Sequence, residues 1–530
     1  MKYPKIAEKG KIGSIETKNR LVMTAMGVGV GSPSGEATDA FIRFYEERAK
    51  GGAGLIITEI TRVNDIHGAG EYDQLSLACD DTIESFQRLA EAVHRHDSRI
   101  FVQLHHPGRE SHLVLNPKTD QLVSSMAVPS YVAPEPTRAL SAAEIGDLVK
   151  DFGRAAGRAK KAGIDGVEIH AAHGYLIHQF LSPFDNHRED QYGGTPENRR
   201  RFLLEIIEEI RRVCGEDYPI SVRLSSSEFL SDLYDESLKL QDTIADAKAC
   251  EAAGVSLLNI SSGTHFTGNT IVEPTTYEQG WKIPFAAAIK REVSIPVAAT
   301  GVIRDPAYAE KILTDDDVDF VAMGRSWLAD PQWGEKAISG RDEDIRKCLG
   351  CMYCFETAGN NLISGGSHAF CSVNPCMGEE ASCDDFVADG EGRSVVVVGG
   401  GLTGMETAEY LQTGGNEVFE VEMVDAMGAV GFPLMIMDAT SSLAKLGVRT
   451  MPGHKLLEIR ENSILLEDNA GYRIEEACDA VIVALGARAQ NTLEEALKPD
   501  MKVFTAGDAK RGGRRIPDAI HEAFQVALLL

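Results

Sequence analysis

Eight short apolar runs rich in branched side chains recur between Asn19 and Asp330, separated by amphipathic helical segments. They read RLVMTA, GLIITEI, RIFVQL, GVEIH, PISVRL, SLLNI, IPVAAT and DFVAMG. Strands buried on both faces need such near-continuous apolar runs, and parallel neighbours need a helical crossover between them. The repetition predicts an α/β chain whose N-terminal part is a closed (β/α)8 barrel, with functional groups at the C-terminal strand ends. An open doubly wound sheet is the alternative with the same local pattern.

At 530 residues the chain exceeds what one core usually sustains. The barrel is expected over residues 1–340. A Cys- and Gly-rich connector follows over 341–393, and a second strand–helix–strand pattern beginning at SVVVVGGG fills 394–530. Within the barrel, Ser141 and Glu144 form a capping-box signature that opens a helix reaching to about Ala162. The preceding VPSYVAPEPTR is too irregular for a helix or a strand, which leaves a lid over the barrel mouth or an inert surface excursion.

The formal charge of -27 argues against a nucleic-acid surface, which needs clustered Lys and Arg. No signal-peptide core and no run of 18 apolar residues is present, so the expectation is a cytoplasmic protein that does not enter a membrane. Six of the ten cysteines, Cys348, Cys351, Cys354, Cys371, Cys376 and Cys383, crowd into one stretch. In a reducing compartment this suggests metal binding more than disulfides. Cys79, Cys214, Cys250 and Cys478 are scattered and read as small buried residues.

The densest chemistry lies in GVEIHAAHGYLIHQF. It sets His170, His173 and Tyr175 at the C-terminal end of a strand, where two imidazoles can donate to one carbonyl oxygen and a phenol can give a proton to an adjacent carbon.

That segment, with NRLVMTAM, QLHHPGR, SVRLS, ATGVIRDP and VAMGRSWLADP, resembles the old yellow enzyme family in its larger 2,4-dienoyl-CoA reductase and trimethylamine dehydrogenase branch. The resemblance implies an FMN-binding barrel. Thr24 and Ala25 would lie against the flavin, Gln103 and Arg223 would hydrogen-bond its ring, and Gly301, Gly324 and Arg325 would hold its phosphate. Glycines let backbone N–H groups approach a phosphate, and Arg adds charge-assisted bonds. Val302 stands where a second glycine is usual. Trimethylamine dehydrogenase tethers its FMN through a cysteine, and the aligned residue here is Gly27, which excludes that thioether.

The spacing of Cys348, Cys351 and Cys354, with Cys371 beyond, suits a cluster held by four thiolates better than a zinc ribbon of two separated pairs. Relatives of this branch carry a four-iron, four-sulfur cluster at this place, and Cys376 and Cys383 fall outside the set. Farther on, Gly399, Gly401 and Gly404 form a GxGxxG fingerprint between a strand and a helix, the arrangement that seats a pyrophosphate at a helix N-terminus. Glu422 suits a free ribose 2′-hydroxyl and so favours NADH. Asp508 resembles a residue that contacts FAD. Relatives carry two such fingerprints and this chain carries one, which leaves FAD binding open.

The reaction expected from the resemblance is hydride transfer from FMN to the β-carbon of an enone or enoyl thioester. His170 and His173 would polarise the carbonyl, Tyr175 would protonate the α-carbon, and electrons would come from NADH through the cluster. Amine dehydrogenation, the reverse desaturation of a steroid or bile-acid thioester, an electron-transfer role, an external electron donor and a homo-oligomer stay open.

Overall fold

The computed structural model describes residues 2–383 except 231–235, 316, 362–364 and 366, and beyond them residues 405, 408–409, 412, 418–423, 425–427, 433–460 and 463–478. The chain divides into two compact units, Met1–Val387 and Ala388–Leu530.

All eight expected runs form strands of one barrel: β1 Leu21–Met23, β2 Leu55–Arg62, β3 Arg99–His105, β4 Gly166–Ala171, β5 Ile220–Ser225, β6 Leu257–Ser261, β7 Val297–Ala299 and β8 Phe320–Met323. Each pairs in parallel with the next, and β8 returns to β1 through Val321 opposite Leu21, which closes the ring. The open-sheet alternative is thereby excluded. Alternation along the strands sends Val22, Leu55, Ile57, Phe101, Leu257, Ala298 and Phe320 into the barrel, where they pack with Ile12 from an N-terminal hairpin. Gly10 of that hairpin leaves no room for a side chain, because a Cβ there would fall 2.3 Å from the Phe320 ring. The hairpin therefore plugs one end of the barrel, and function is left to the other.

The capping box at Ser141 is formed in both directions and starts the helix Ala142–Lys161. Part of the Pro-rich stretch is a strand after all. Thr137–Ala139 pairs with Leu122–Ser124, and the backbone of Leu122 donates to Pro136 O, so the loop's two ends are tied together.

Residues 341–383 pack onto the barrel. Arg48, fully buried on the helix Asp39–Lys50, is ion-paired with buried Glu380, and Asn374 donates to Leu328 O at 2.8 Å. One expectation is corrected here: Cys376 and Cys383 form a disulfide, so two of the six crowded cysteines pair with each other and Cys376 is not a free thiolate. Proximity decides this, since only six residues separate the two cysteines and their Cα atoms lie 5.9 Å apart. Of the scattered cysteines, Cys214 and Cys250 are buried, whereas Cys79 and Cys478 are only half-buried.

In the second unit Phe419–Val421 runs parallel to Arg449–Met451 with the helix Pro433–Leu446 between them in sequence. A three-stranded antiparallel sheet follows, Ser463–Asp468 lying between His454–Ile459 and Arg473–Ala477. Gly399, Gly401, Gly404 and Asp508 lie outside the described residues. Glu422 directly follows the strand Phe419–Val421, and its N–H donates to Met451 O. Among the described residues no helix is long and apolar enough to cross a membrane.

Candidate active site

A polar layer crosses the barrel above its apolar plug. Glu168 on β4 has no exposed surface and accepts from Gln103 Nε2 at 2.8 Å, Ser221 Oγ at 2.9 Å and Asn259 Nδ2 at 2.9 Å. Asn259 Nδ2 also reaches Thr24 Oγ1 at 3.2 Å, and Arg223 Nη1 donates to Ala25 O at 3.2 Å. Burial raises the Glu168 carboxyl above its ordinary range, against the opposing pull of Arg223 and the three donors. Of four residues singled out from the sequence, Gln103 and Thr24 are thus joined through two that were missed, Glu168 and Asn259, while Arg223 and Ala25 bond to each other. The available signal was a carboxylate inside an otherwise apolar strand, which burial makes costly unless it is partnered.

Above this layer the strand ends gather aromatic rings. Tyr175 is in edge contact with His105, His170 and His265, their centroids 4.4, 4.8 and 4.8 Å away, and His170 meets His173 at 5.0 Å. His173 is fixed in a left-handed conformation (φ 65°). Its N–H donates to Ser225 Oγ, its Nε2 is 2.8 Å from Ser261 Oγ, and its carbonyl is 2.8 Å from His265 Nδ1. Such a backbone is costly for a residue with a side chain and persists where surrounding bonds enforce it. Burial holds His105 (to about 3), His170 and His173 well below the ordinary imidazole range, so all three are neutral. The same burial pushes the Tyr175 phenol up, which keeps its proton in place. Its hydroxyl makes no hydrogen bond among the described residues. His105 and His265 were not singled out as site residues, although His105 lies inside the quoted motif QLHHPGR.

A narrow cleft opens beside these rings, walled by Arg109, Asp185, Phe184, His265, Phe266 and, from the Pro-rich loop, Tyr131. The Tyr131 ring packs on Phe184 and Phe266, and the Arg109 guanidinium lies 4.8 Å from its centroid. The loop thus contributes Tyr131 and Val132 to the wall of this cleft.

At the proposed phosphate end, Gly301 has φ 143° and Gly324 faces Met26 Sδ, which a Cβ would approach to 2.7 Å. Val302 adopts φ 54°, the left-handed region that a glycine would enter without strain. Arg325 is ion-paired with Glu273 at 2.8 Å, and so is Lys282 at 2.7 Å, a buried lysine that the sequence reading passed over.

The four cysteines expected as ligands, Cys348, Cys351, Cys354 and Cys371, line a single cavity together with Arg325 and Met352. Cys351 Sγ lies 2.9 Å from Ser372 Oγ. Burial raises the thiols of Cys354 and Cys371, the latter to about 11, so their thiolates would need a cation beside them. Among the described residues no three His, Cys, Asp or Glu side chains converge on a metal-ion position.

With this geometry in view, residues 10–344 match the model of the NADH:flavin oxidoreductase / NADH oxidase family, and residues 358–524 match that of the pyridine nucleotide-disulphide oxidoreductases. The chain belongs to the NADH:flavin oxidoreductase / NADH oxidase family. It is 39% identical to an NADH oxidase of Thermoanaerobacter brockii over 84% of this chain and 66% of that one. It is 34% identical to a cinnamate reductase of Clostridium sporogenes over 80% of this chain and 66% of that one, so it spans just under two thirds of either relative. A 2-naphthoyl-CoA reductase complexed with 2-naphthoyl-CoA shares the fold, with a TM-score of 0.88 at 24% identity over all of both chains. The barrel fits a flavin on its own evidence: among the described residues, Arg223 Nε, Asn259 Oδ1 and both ring nitrogens of His105 are buried without a partner around the Thr24–Gln103–Arg223 layer. Native interiors rarely leave such atoms unmatched unless something else binds there.

Proposed function

We propose that this protein reduces an activated carbon–carbon double bond conjugated to a carbonyl group. The observation that carries the reading is the Tyr175 phenol, kept protonated by burial and held among neutral imidazoles beside the flavin layer. A bound FMN supplies hydride to the β-carbon of the substrate. His170 and His173 hold the carbonyl oxygen, His173 through Nδ1 because Ser261 occupies its Nε2. Tyr175 then gives its proton to the α-carbon, a positioned general acid next to developing negative charge. A cinnamate reductase among the relatives supports a conjugated substrate, and the aromatic walls of the cleft, Tyr131, Phe184 and Phe266, suit a planar one.

In this reading residues 1–340 are catalytic, 341–393 carry a four-iron, four-sulfur cluster on Cys348, Cys351, Cys354 and Cys371, and 394–530 bind NADH with Glu422 at its ribose. Four thiols lining one cavity support this assignment. The pyridine nucleotide-disulphide oxidoreductase match supports nucleotide binding by the second unit.

The test is to reduce the purified protein anaerobically and mix it with a panel of α,β-unsaturated acids, ketones and thioesters, following flavin absorbance and product together. Reoxidation matched one-to-one by loss of alkene is expected. A flavin that no alkene reoxidises, but a one-electron acceptor does, would make the protein an electron carrier.

A further inference from the structure

Arg109, in the loop after β3, has no part in the reaction proposed above, yet it walls the cleft together with His265, whose ring touches Tyr175. The residue is 3% exposed, and its guanidinium is only partly matched. Nε donates to Glu110 Oε1 at 3.2 Å and Nη2 to Asp185 Oδ1 at 2.6 Å, whereas Nη1 is buried with no partner among the described residues. A buried donor left unmatched costs free energy that a bound acceptor recovers. The guanidinium is also held in place from the Pro-rich loop. Ser130 Oγ donates to Glu110 Oε2 at 2.7 Å, and the Tyr131 ring lies against Arg109.

The charges around the cleft decide what kind of acceptor fits. Three carboxyl side chains, Glu110, Asp185 and Glu228, stand in its wall, and the first two already share the charge of Arg109. Glu228 has no exposed surface. It accepts from Leu238 N at 2.7 Å and lies 3.0 Å from His178 Nε2. His265 is engaged through Nδ1 with the His173 carbonyl. A ligand carboxylate entering here would give up its water and meet these carboxyl groups, with the Arg109 charge already committed to two of them. An uncharged carbonyl oxygen has far less hydration to lose and gains the Nη1 proton.

We infer that Arg109 determines substrate specificity: its Nη1 donates to an uncharged oxygen acceptor of the substrate, as in an amide, ester, thioester or ketone, and the carboxyl-rich wall turns away a free carboxylate. The acceptor is a second group of the substrate, because the carbonyl next to the reacting double bond is assigned to His170 and His173. The inference rests on the barrel mouth as the substrate site and not on the alkene chemistry, so the two can fail separately.

The experiment is equilibrium binding of benzamide and benzoate, planar ligands of nearly the same shape that differ in charge, to the oxidised, flavin-loaded full chain. Ligand-observed NMR follows it at about pH 8, above the ordinary carboxyl range and above the Asp185 carboxyl, which burial raises against the pull of Arg109. Benzamide is expected to bind about tenfold more tightly than benzoate. Arg109→Lys keeps the charge and loses the fork, so it should weaken benzamide about tenfold. Glu110→Gln removes one negative charge and should strengthen benzoate several-fold with little change in benzamide. Benzoate binding as tightly as benzamide, or benzamide binding equally to the parent and to Arg109→Lys, would overturn the inference. If Arg109→Lys does not fold, an unchanged ratio of the two affinities in Glu110→Gln overturns it by itself. Nothing is reduced in these titrations, so their outcome does not depend on whether the protein reduces an alkene.

Discussion

The barrel-mouth site and the cysteine cavity are both polar clusters buried in apolar surroundings, yet they are finished to different degrees. At the barrel mouth the protein satisfies most of its own groups: Glu168 takes three donors, and His173 is held at its N–H, its Nε2 and its carbonyl. In the cavity four cysteines lie together with two of the thiols raised by burial, and the cationic side chain that lines it, Arg325, is already paired with Glu273. The first region is largely organised by the protein itself, with Arg223 Nε, Asn259 Oδ1 and the His105 ring nitrogens left over among the described residues. On the proposed reading the second is complete only with a cationic guest, since burying thiolates without one is costly.

The largest effect should therefore come from the cavity. Cys354→Ser is expected to reduce bound iron to background and stop nicotinamide-driven turnover, while flavin stays in the barrel and dithionite-reduced flavin still reacts. Iron content equal to the parent's would break the comparison, because the cavity would then not depend on its thiols.

At the barrel mouth, Tyr175→Phe removes one proton and keeps the ring. Flavin binding and reduction should be unchanged, and reoxidation by an alkene should slow by roughly 10²–10⁴-fold, the usual worth of a positioned general acid. Because burial raises the phenol, its proton is retained through mildly alkaline pH, and the parent's rate should show no alkaline fall below about pH 10 from this group. Stopped-flow reoxidation across pH reads both. An unchanged rate in Tyr175→Phe would mean that water or His265 delivers the proton.

The eight strands were legible in the sequence because burial on both faces leaves a long apolar trace, and Tyr175 was legible because it follows one of those strands within a few residues. Glu168, Asn259 and Lys282 were not. Glu168 and Asn259 act through partners brought from distant strands, as Asn259 does with Thr24 across 235 positions, and Lys282 is marked by its burial against Glu273. The Cys376–Cys383 disulfide was hidden by the neighbouring cysteines, whose crowding reads as metal binding more than as disulfides and left these two outside the ligand set with no role.

The self-satisfaction of the barrel site can be measured. Glu168→Ala would leave the Gln103 and Ser221 donors buried without this acceptor, at about 1–3 kcal/mol each before relaxation, and Asn259 with Thr24 Oγ1 alone. A net loss of about 3 kcal/mol in unfolding free energy is expected, together with weaker flavin binding through Gln103. Loss below 1 kcal/mol would show that the layer is wet and not organised by its carboxylate.

The smallest effect compares backbone strain in the two regions. Val302 beside the proposed phosphate cradle has φ 54°, and Met352 between the cysteines has φ 61°. A left-handed conformation costs a residue with a side chain about 1–2 kcal/mol, which glycine avoids, although glycine returns about 0.5–1 kcal/mol through a freer unfolded chain. Val302 is half-buried, so its replacement removes little packing. Met352 is 1% exposed, and truncating a buried side chain of that size costs about 2–5 kcal/mol. The same substitution should thus have opposite signs: Val302→Gly should stabilise by about 0.5 kcal/mol, and Met352→Gly should destabilise by about 2 kcal/mol. Denaturant melts of both variants without added cofactor decide it. A destabilised Val302→Gly would mean that the valine side chain contributes more by packing than its backbone costs, and the barrel site would then be less strained than its dihedral angle implies.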